Sequence, residues 1–289
     1  MTNILSVDVE DWFHILELNS SPDLNEWNCL ESRVEKNLSA LLDVFDKAHV
    51  KATCFFLGWV AERFPDLVKD AHRRGHEVAS HGYAHQLIYT QTRQEFSDDI
   101  KRTKEVLENI TGARVLGYRA PGFSLVEDVR WALEELARAG YKYDSSIFPA
   151  SRGHGGIVGA RVSPHGIETE HGTIVEFPIT VAEFLGKRMC FFGGGYLRLF
   201  PYATIKYMSG RVNRQGRPVI YYVHPREIDP SHPRLAMSVK RRFKSYVNLS
   251  TTMRKLRSLL NDERLTTFGG WLAENGGTVT EGECGQQGV

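Results

Sequence analysis

The ionisable side chains most able to do chemistry together fall in five short segments: Asp8, Glu10 and Asp11 in SVDVEDW, His81 and His85 in SHGYAH, Arg119 in YRAPGF, Asp144 in YDSS, and His224 in YVHP. Two imidazoles four residues apart can turn toward one ion, and with a carboxylate they make a donor set that transition metals accept. The spacing alone discriminates poorly, because His72 and His76 share it. His72 stands beside Arg73 and Arg74, whose charge opposes a bound cation, and reads as a surface residue. Asp8 and Glu10 alternate along an extended segment and so face one side, with Asp11 on the other if the strand runs on. Neighbouring carboxylates repel unless a cation or an arginine joins them, and either Arg119 or a metal would serve. His224 closes the apolar run VIYYV just before Pro225, a place that fits a satisfied core histidine or a reactive one at a strand end.

Elements must hold these side chains in place. Short β-like runs alternate with helical patterns, as in βα units around a mainly parallel sheet. Strands are expected at 4–9, 52–57, 76–80, 115–118, 141–144, 174–177 and 218–223. A helix over 31–48 carries Val34, Leu38, Leu41, Leu42 and Phe45 at helical spacing, and one over 61–74 is interrupted by Pro65. Two more run over 93–110, stopped by Gly112, and over 127–139, ended by Gly140. Reactive groups in parallel α/β folds gather at the carboxyl ends of the strands, and the ionisable segments fall there. Such strands with helices outside can close a barrel.

The stretch 150–172, rich in Gly, His and Ser, reads as a long loop or insertion. Gly193, Gly194 and Gly195 lead into Tyr196 without the Lys-Ser or Lys-Thr of a phosphate-binding loop. Both segments are candidates for capping a cleft. The Gly-rich tail beyond Asn275 is expected to fray.

The chain has 289 residues, 42% hydrophobic and 25% charged, a composition that excludes disorder, collagen-like repeats and coiled coils. No apolar run is long enough to span a bilayer. The N-terminus places acids where a secretion signal needs a basic start, so a cytoplasmic protein is expected. The four cysteines match no zinc or redox spacing, and Cys54 reads as a core residue. Net charge is +1, but residues 231–264 hold nine Lys or Arg against Asp262 and Glu263. That stretch is a solvated helix face or a site for an anionic surface. No nucleic-acid-binding motif accompanies it.

Taken in order, Asp8-x-Glu10, SHGYAH, YRAPGF, YDSS and YVHP resemble the motifs of the polysaccharide deacetylases, carbohydrate esterase family 4 with its nodulation-type deacetylase homology domain. The resemblance covers about residues 3–150 and 215–230. FFGGGYLRLFP and the basic C-terminal helices resemble the extension of exosortase-associated, exopolysaccharide-locus members. The resemblance implies an α/β fold, a deformed (β/α) barrel of about seven parallel strands with a C-terminal helical extension. The barrel would occupy 1–230, with an insertion at about 150–215, and the extension and flexible tail 231–289.

It further implies metal-dependent hydrolysis of an N-acetyl group from an amino sugar in an exopolysaccharide or its precursor. One divalent ion is implied, zinc first, with cobalt, nickel or iron(II) as alternatives, held by His81, His85 and a carboxylate. Asp8 becomes the general base, Arg119 the residue that orients it, His224 the general acid and Asp144 the aspartate that holds the acid. Many members carry adjacent aspartates where this chain has Asp8 and Val9; the Asp-x-Asp branch points to Glu10 as the carboxylate ligand, with Asp11 as the fallback. Gly122 follows Pro121 directly, another departure from the pattern.

Trp12, Tyr83, Pro121 and Phe123, near the motif ends, are the expected substrate contacts. The expected partner is an N-acetylated sugar or oligosaccharide, free or lipid-linked, with the basic segment resting against an anionic inner-membrane surface. Nucleic acid is not expected, and an oligomer is allowed. The rival readings are an amidase or ureide hydrolase acting on a non-sugar substrate, a non-haem iron oxygenase, and an inactive deacetylase fold serving as a carbohydrate-binding scaffold.

Overall fold

A computed structural model describes residues 1–16, 20–151 and 155–275. In chain order the strands are β1 (Asn3–Val9), β2 (Thr53–Phe56), β3 (Glu77–Ser80), β4 (Gly117–Tyr118), β5 (Tyr143–Asp144), β6 (His165–Thr169), β7 (Gly172–Glu176), β8 (Val181–Phe184), β9 (Lys187–Cys190), β10 (Ile220–Val223) and β11 (Leu265–Thr266). The helices are α1 (Val34–Lys47), α2 (Gly58–Arg63), α3 (Pro65–Arg73), α4 (Arg93–Thr111), α5 (Trp131–Arg138), α6 (Gly194–Leu199), α7 (Tyr202–Asn213), α8 (Val239–Tyr246), α9 (Leu249–Asp262) and α10 (Phe268–Glu274).

The main sheet runs β10-β1-β2-β3-β4-β5-β7-β6, parallel throughout except for β6, which turns back on β7 as a hairpin. The seven parallel strands on this path are the seven expected from the sequence. Among the described residues no ladder joins β7 to β10. Thr180 spans the gap instead, its hydroxyl accepting from the Ile220 amide at 2.9 Å. The result is a barrel deformed on that side.

Local rules account for the helices around it. The α1 residues Val34, Leu38, Leu41, Leu42 and Phe45 are all fully buried, as a 3.6-residue apolar stripe requires. Pro65 divides the expected 61–74 helix into α2 and α3 by occupying the first turn of α3. Thr92 and Glu95 form a reciprocal capping box at the start of α4, and Gly112 closes it in the left-handed conformation at φ 68°.

Two parts of the chain depart from expectation. The stretch 150–172 contains β6, which pairs with β7 because His165–Thr169 is extended and closes on a tight turn at Gly172. Between β7 and β10 the chain builds the β8–β9 hairpin and α6 and α7, where the sequence signalled no periodic element. The end of the described chain returns to the barrel. β11 adds in parallel to β1, and Phe268 at the head of α10 enters the barrel interior with Ile4, Phe55, Ala79, Tyr143, Phe177 and Ile220. The tail expected to fray lies outside the described residues.

Candidate active site

The carboxyl ends of β1, β3, β4 and β10 converge on a cleft of about 610 Å³. Asp8, near the end of β1, is 2% exposed, and Arg119, just past β4, is wholly buried. Arg119 Nη1 donates to Asp8 Oδ1 at 2.6 Å and to Ser6 Oγ at 2.8 Å. Its other nitrogens donate to the hydroxyl and carbonyl of Ser145. The guanidinium lies over the Phe55 ring, 4.2 Å from its centroid. With its donors engaged and its face covered, Arg119 fixes one oxygen of Asp8 and leaves Oδ2 toward the cleft.

Glu10, just beyond β1, meets the two histidines of SHGYAH. Its Oε1 lies 2.9 Å from His85 Nε2 and 3.2 Å from His81 Nε2. Among the described residues these three form the one group of His, Cys, Asp and Glu donors close enough to share an ion. His81 Nδ1 donates to the Arg119 carbonyl at 2.8 Å, which turns the Nε2 lone pair inward, the usual outer-shell arrangement of a metal-binding imidazole. His85 adopts a left-handed backbone at φ 53°, a conformation unusual for a non-glycine residue. Burial opposes the charge on Glu10, but His85, His224 and the bonds from His81 and His85 outweigh it and hold the carboxyl well below its ordinary range. A buried carboxylate and two inward imidazole nitrogens fit zinc or a similar divalent ion.

Asp11 does not join this group. Its carboxylate accepts from the amides of Trp12, Arg33 and Val34 and from the Ser32 hydroxyl, so it caps the start of α1. The choice of carboxylate is therefore a division of labour between neighbours, with Glu10 on the histidines and Asp11 on the helix.

His224 extends from β10 toward the same centre, its Nε2 3.8 Å from both Asp8 Oδ2 and Glu10 Oε1. Its Nδ1 lies 3.1 Å from Glu227 Oε2, and the same oxygen accepts from the His224 amide. Arg198 Nε in turn donates to Glu227 Oε1 at 2.7 Å. Burial favours neutral imidazole, yet Glu10, Glu227 and Asp8 together raise the His224 pKa above its ordinary value.

Asp144 is not the partner of His224 here. It is fully buried, accepts from Ser146 Oγ at 2.5 Å and neighbours Glu176. Burial and the charge of Asp144 push the Glu176 carboxyl well above its ordinary range. Glu227 makes that contact instead because it sits one helical turn after His224. Its signal was in the sequence: in HPRE, Pro225 at the first position and a glutamate two further on mark a helix start whose glutamate reaches back to the residue before the proline.

Of the four expected substrate contacts, Phe123 lines the cleft and the others do not. Trp12 is buried and donates from Nε1 to the Glu31 carbonyl. Tyr83 bonds Glu62 and lies under the Arg102 guanidinium. Pro121 is buried at the start of a short turn. Gly194 and Gly195 line the cleft, and Gly193 bridges to Tyr222, where a Cβ would stand 2.1 Å from the ring. The cleft also holds His14, Arg226 and Arg241, which the sequence reading did not single out.

A deformed β/α barrel with ionisable groups at its carboxyl rim defines the structural class, and comparison with known proteins places the chain within it. Residues 28–143 match the profile described as polysaccharide deacetylase, and residues 145–273 match that of a domain of unknown function (DUF3473). Residues 28–143 thus carry a polysaccharide deacetylase domain and residues 145–273 the second domain, the tandem of the exopolysaccharide-type deacetylases. It is 33% identical over 113 residues to a peptidoglycan deacetylase of Helicobacter pylori, covering 39% of this chain and 38% of that protein. It is 33% identical over 96 residues to the peptidoglycan-N-acetylglucosamine deacetylase of Bacillus cereus, covering 33% of this chain and 35% of that protein. The matched stretches thus span under two fifths of both relatives. A crystal structure from Mycobacterium smegmatis, provisionally described as a polysaccharide deacetylase, superposes with a TM-score of 0.62 at 19% identity over 98% of this chain and 96% of its own. That likeness concerns the fold.

Proposed function

We propose that the protein is a divalent-metal-dependent N-deacetylase acting on an N-acetylated amino sugar of an exopolysaccharide or its precursor. The observation that carries this reading is the meeting of Glu10, His81 and His85 at a cleft that Asp8 and His224 also line. Glu10, His81 and His85 would hold the ion. A bound divalent cation supplies Lewis-acid polarisation of the acetyl carbonyl and acidifies water. Asp8, oriented by Arg119, accepts a proton at Oδ2 as water adds to the acetyl carbon. His224 holds its proton at Nε2 and passes it to the departing amine, which otherwise leaves as a high-energy amide anion. Glu227 Oε2 accepts from His224 Nδ1–H, fixes the ring and favours its charged form.

The exopolysaccharide assignment draws support from the second matched domain, a C-terminal domain of exopolysaccharide-type deacetylases. No described helix is long and apolar enough to cross a membrane. A cytoplasmic enzyme resting on the inner-membrane surface, with a lipid-linked sugar as substrate, is supported by α8. That helix exposes Val239 and Phe243 among Lys240, Arg242 and Lys244.

Elemental analysis of wild type beside His81→Ala, with acetate release from N-acetylated chito-oligosaccharides, tests the activity. About one equivalent of divalent ion is expected in wild type and little in the variant, with a rate loss of about 1000-fold or more, as removing several kcal/mol of Lewis-acid stabilisation implies. A wild type that retains no ion after reloading, or releases acetate equally well as His81→Ala, overturns the reading.

A further inference from the structure

Among the described residues, the cleft carries side-chain nitrogen donors with nothing to donate to. Ten buried side-chain nitrogen or oxygen atoms among the described residues have no hydrogen-bond partner, and four belong to residues lining this cleft. All four are nitrogens: His14 Nε2, Arg226 Nε, Arg226 Nη1 and Arg241 Nε. The Asp11 amide donates to His14 Nδ1 at 3.0 Å, so the proton of the neutral His14 ring sits on Nε2 and it too is a donor.

The acids of the cleft are already engaged. Asp8 is paired with Arg119, Glu10 with the two ligand histidines, and Glu227 with Arg198 and His224. No acid among the described residues pairs with Arg226, Arg241 or Lys244. Arg241 spends one nitrogen on the Leu16 carbonyl, which aligns α8 against the cleft mouth, and Lys244 one turn on is exposed at the same rim. Buried guanidinium nitrogens without acceptors are costly. Sugar hydroxyls would bring donors as well as acceptors, whereas a carboxylate or phosphate brings acceptors alone together with the missing charge.

We propose that Arg226, Arg241 and Lys244, with His14, form an anion subsite that takes a carboxylate or phosphate borne on or next to the N-acetylated sugar. Arg226 lies two residues after His224, which puts the subsite beside the reacting end of the cleft. The inference rests on the deacetylase reading for calling the ligand a substrate, and on the orphaned donors for the site itself.

Isothermal titration of the full metal-loaded chain with N-acetylglucosamine, N-acetylglucosamine 1-phosphate and N-acetylmuramic acid tests it, with acetate release measured on the same three probes. At least one anionic probe should bind about tenfold or more tightly than the neutral one, the scale of a hydrogen bond to a charged group. That ratio should fall toward one in Arg226→Gln and in Arg241→Gln, and recover in part in Arg226→Lys. Arg241 sits at the cleft mouth on α8, so its variant keeps the test open if Arg226→Gln does not fold. A phosphate preference assigns the site to a phosphorylated or lipid-phosphate sugar, and a carboxylate preference to an acidic sugar.

Equal binding of all three probes overturns the subsite. So does an anion preference that persists in both glutamine variants and disappears when the metal is stripped, because the ion would then be the anion's ligand. Acetate released from all three probes with equal affinity leaves the deacetylase standing and removes the subsite. An arginine-dependent anion preference without acetate from any probe does the reverse.

Discussion

The two mouths of the barrel are built from the same strands and treat their ionisable groups in opposite ways. At the carboxyl rim His224 is held toward its charged form by Glu10, Glu227 and Asp8 despite its burial. At the amino rim His76, just before β3, is driven to about 4 by burial and by the charge of Lys51, and is neutral. The carboxylates differ in the same sense. Asp8 and Glu10 meet cations and imidazoles inside an open cleft. Glu77, at the amino end of β3, is closed off by Thr53 at 2.6 Å, by Tyr143 at 2.9 Å and by the Gly269 amide at the head of α10. One mouth is plugged by the head of α10, with Glu77 satisfied internally; the other is kept open with groups poised toward a ligand. Arg119 links the open end to the interior, bonding Asp8 and lying over the Phe55 ring, with the Phe268 ring centroid 5.5 Å from its guanidinium carbon.

The first way to break this contrast is to unplug the closed end. Phe268 is fully buried and packs on Phe55, Tyr143 and Phe177. Phe268→Ala should cost about 3–5 kcal/mol of stability through the cavity it leaves, read as a lower urea midpoint, with the metal equivalent unchanged. Concurrent loss of the ion would mean that the two ends are not separable.

At the open end, His224→Ala should lower the rate at least ~100-fold, the usual scale of acid catalysis, while metal content stays at the wild-type level. A near wild-type rate removes the acid assignment. Glu227→Gln should cost about tenfold, as loss of an outer-shell partner does, and should move the alkaline limb of the kcat/KM profile to lower pH. The sign follows from the raised His224 pKa: the protonated acid is present below it, and activity falls as pH rises through it. Glu227 is one of the charges that raises it. An unmoved limb would return the role to another group.

The smallest effect belongs to His76. Its folded pKa of about 4 lies below the ~6.5 of an exposed imidazole, so the unfolded chain binds more protons between those values. Stability should therefore fall as pH drops from about 6.5 to about 4. His76→Asn keeps an acceptor for the Ala52 amide, and urea titrations at the two ends of that window should show a flatter slope. An unchanged slope would mean that His76 is not a buried neutral residue.

Much of this was legible from local rules. The stripe on α1, the division at Pro65 and the glycine stops at Gly112 and Gly140 depend on neighbours within one turn, and so does the delivery of Asp8, His81, Arg119 and His224 to one rim by strand ends. The Glu227 signal was also local, but the resemblance directed attention to Asp144. What escaped was made by contacts between distant segments. Trp12 and Tyr83 carry sugar-stacking surfaces, yet the fold turns them to the Glu31 carbonyl and to Glu62 and Arg102. Phe268 lies more than two hundred residues from Phe55, and no periodicity announces that a late helix will plug the barrel.

By itself, then, the sequence determined the order of the seven parallel strands and the delivery of carboxylates and histidines to their ends, because short-range geometry and residue chemistry decide those. Tertiary structure alone decided which acid meets which distant partner: Glu10 the two histidines, Asp11 the start of α1, and Asp144 its neighbour Glu176. Each buried charge takes the partner that the packed chain brings within hydrogen-bond reach, and that distance is set by the whole fold.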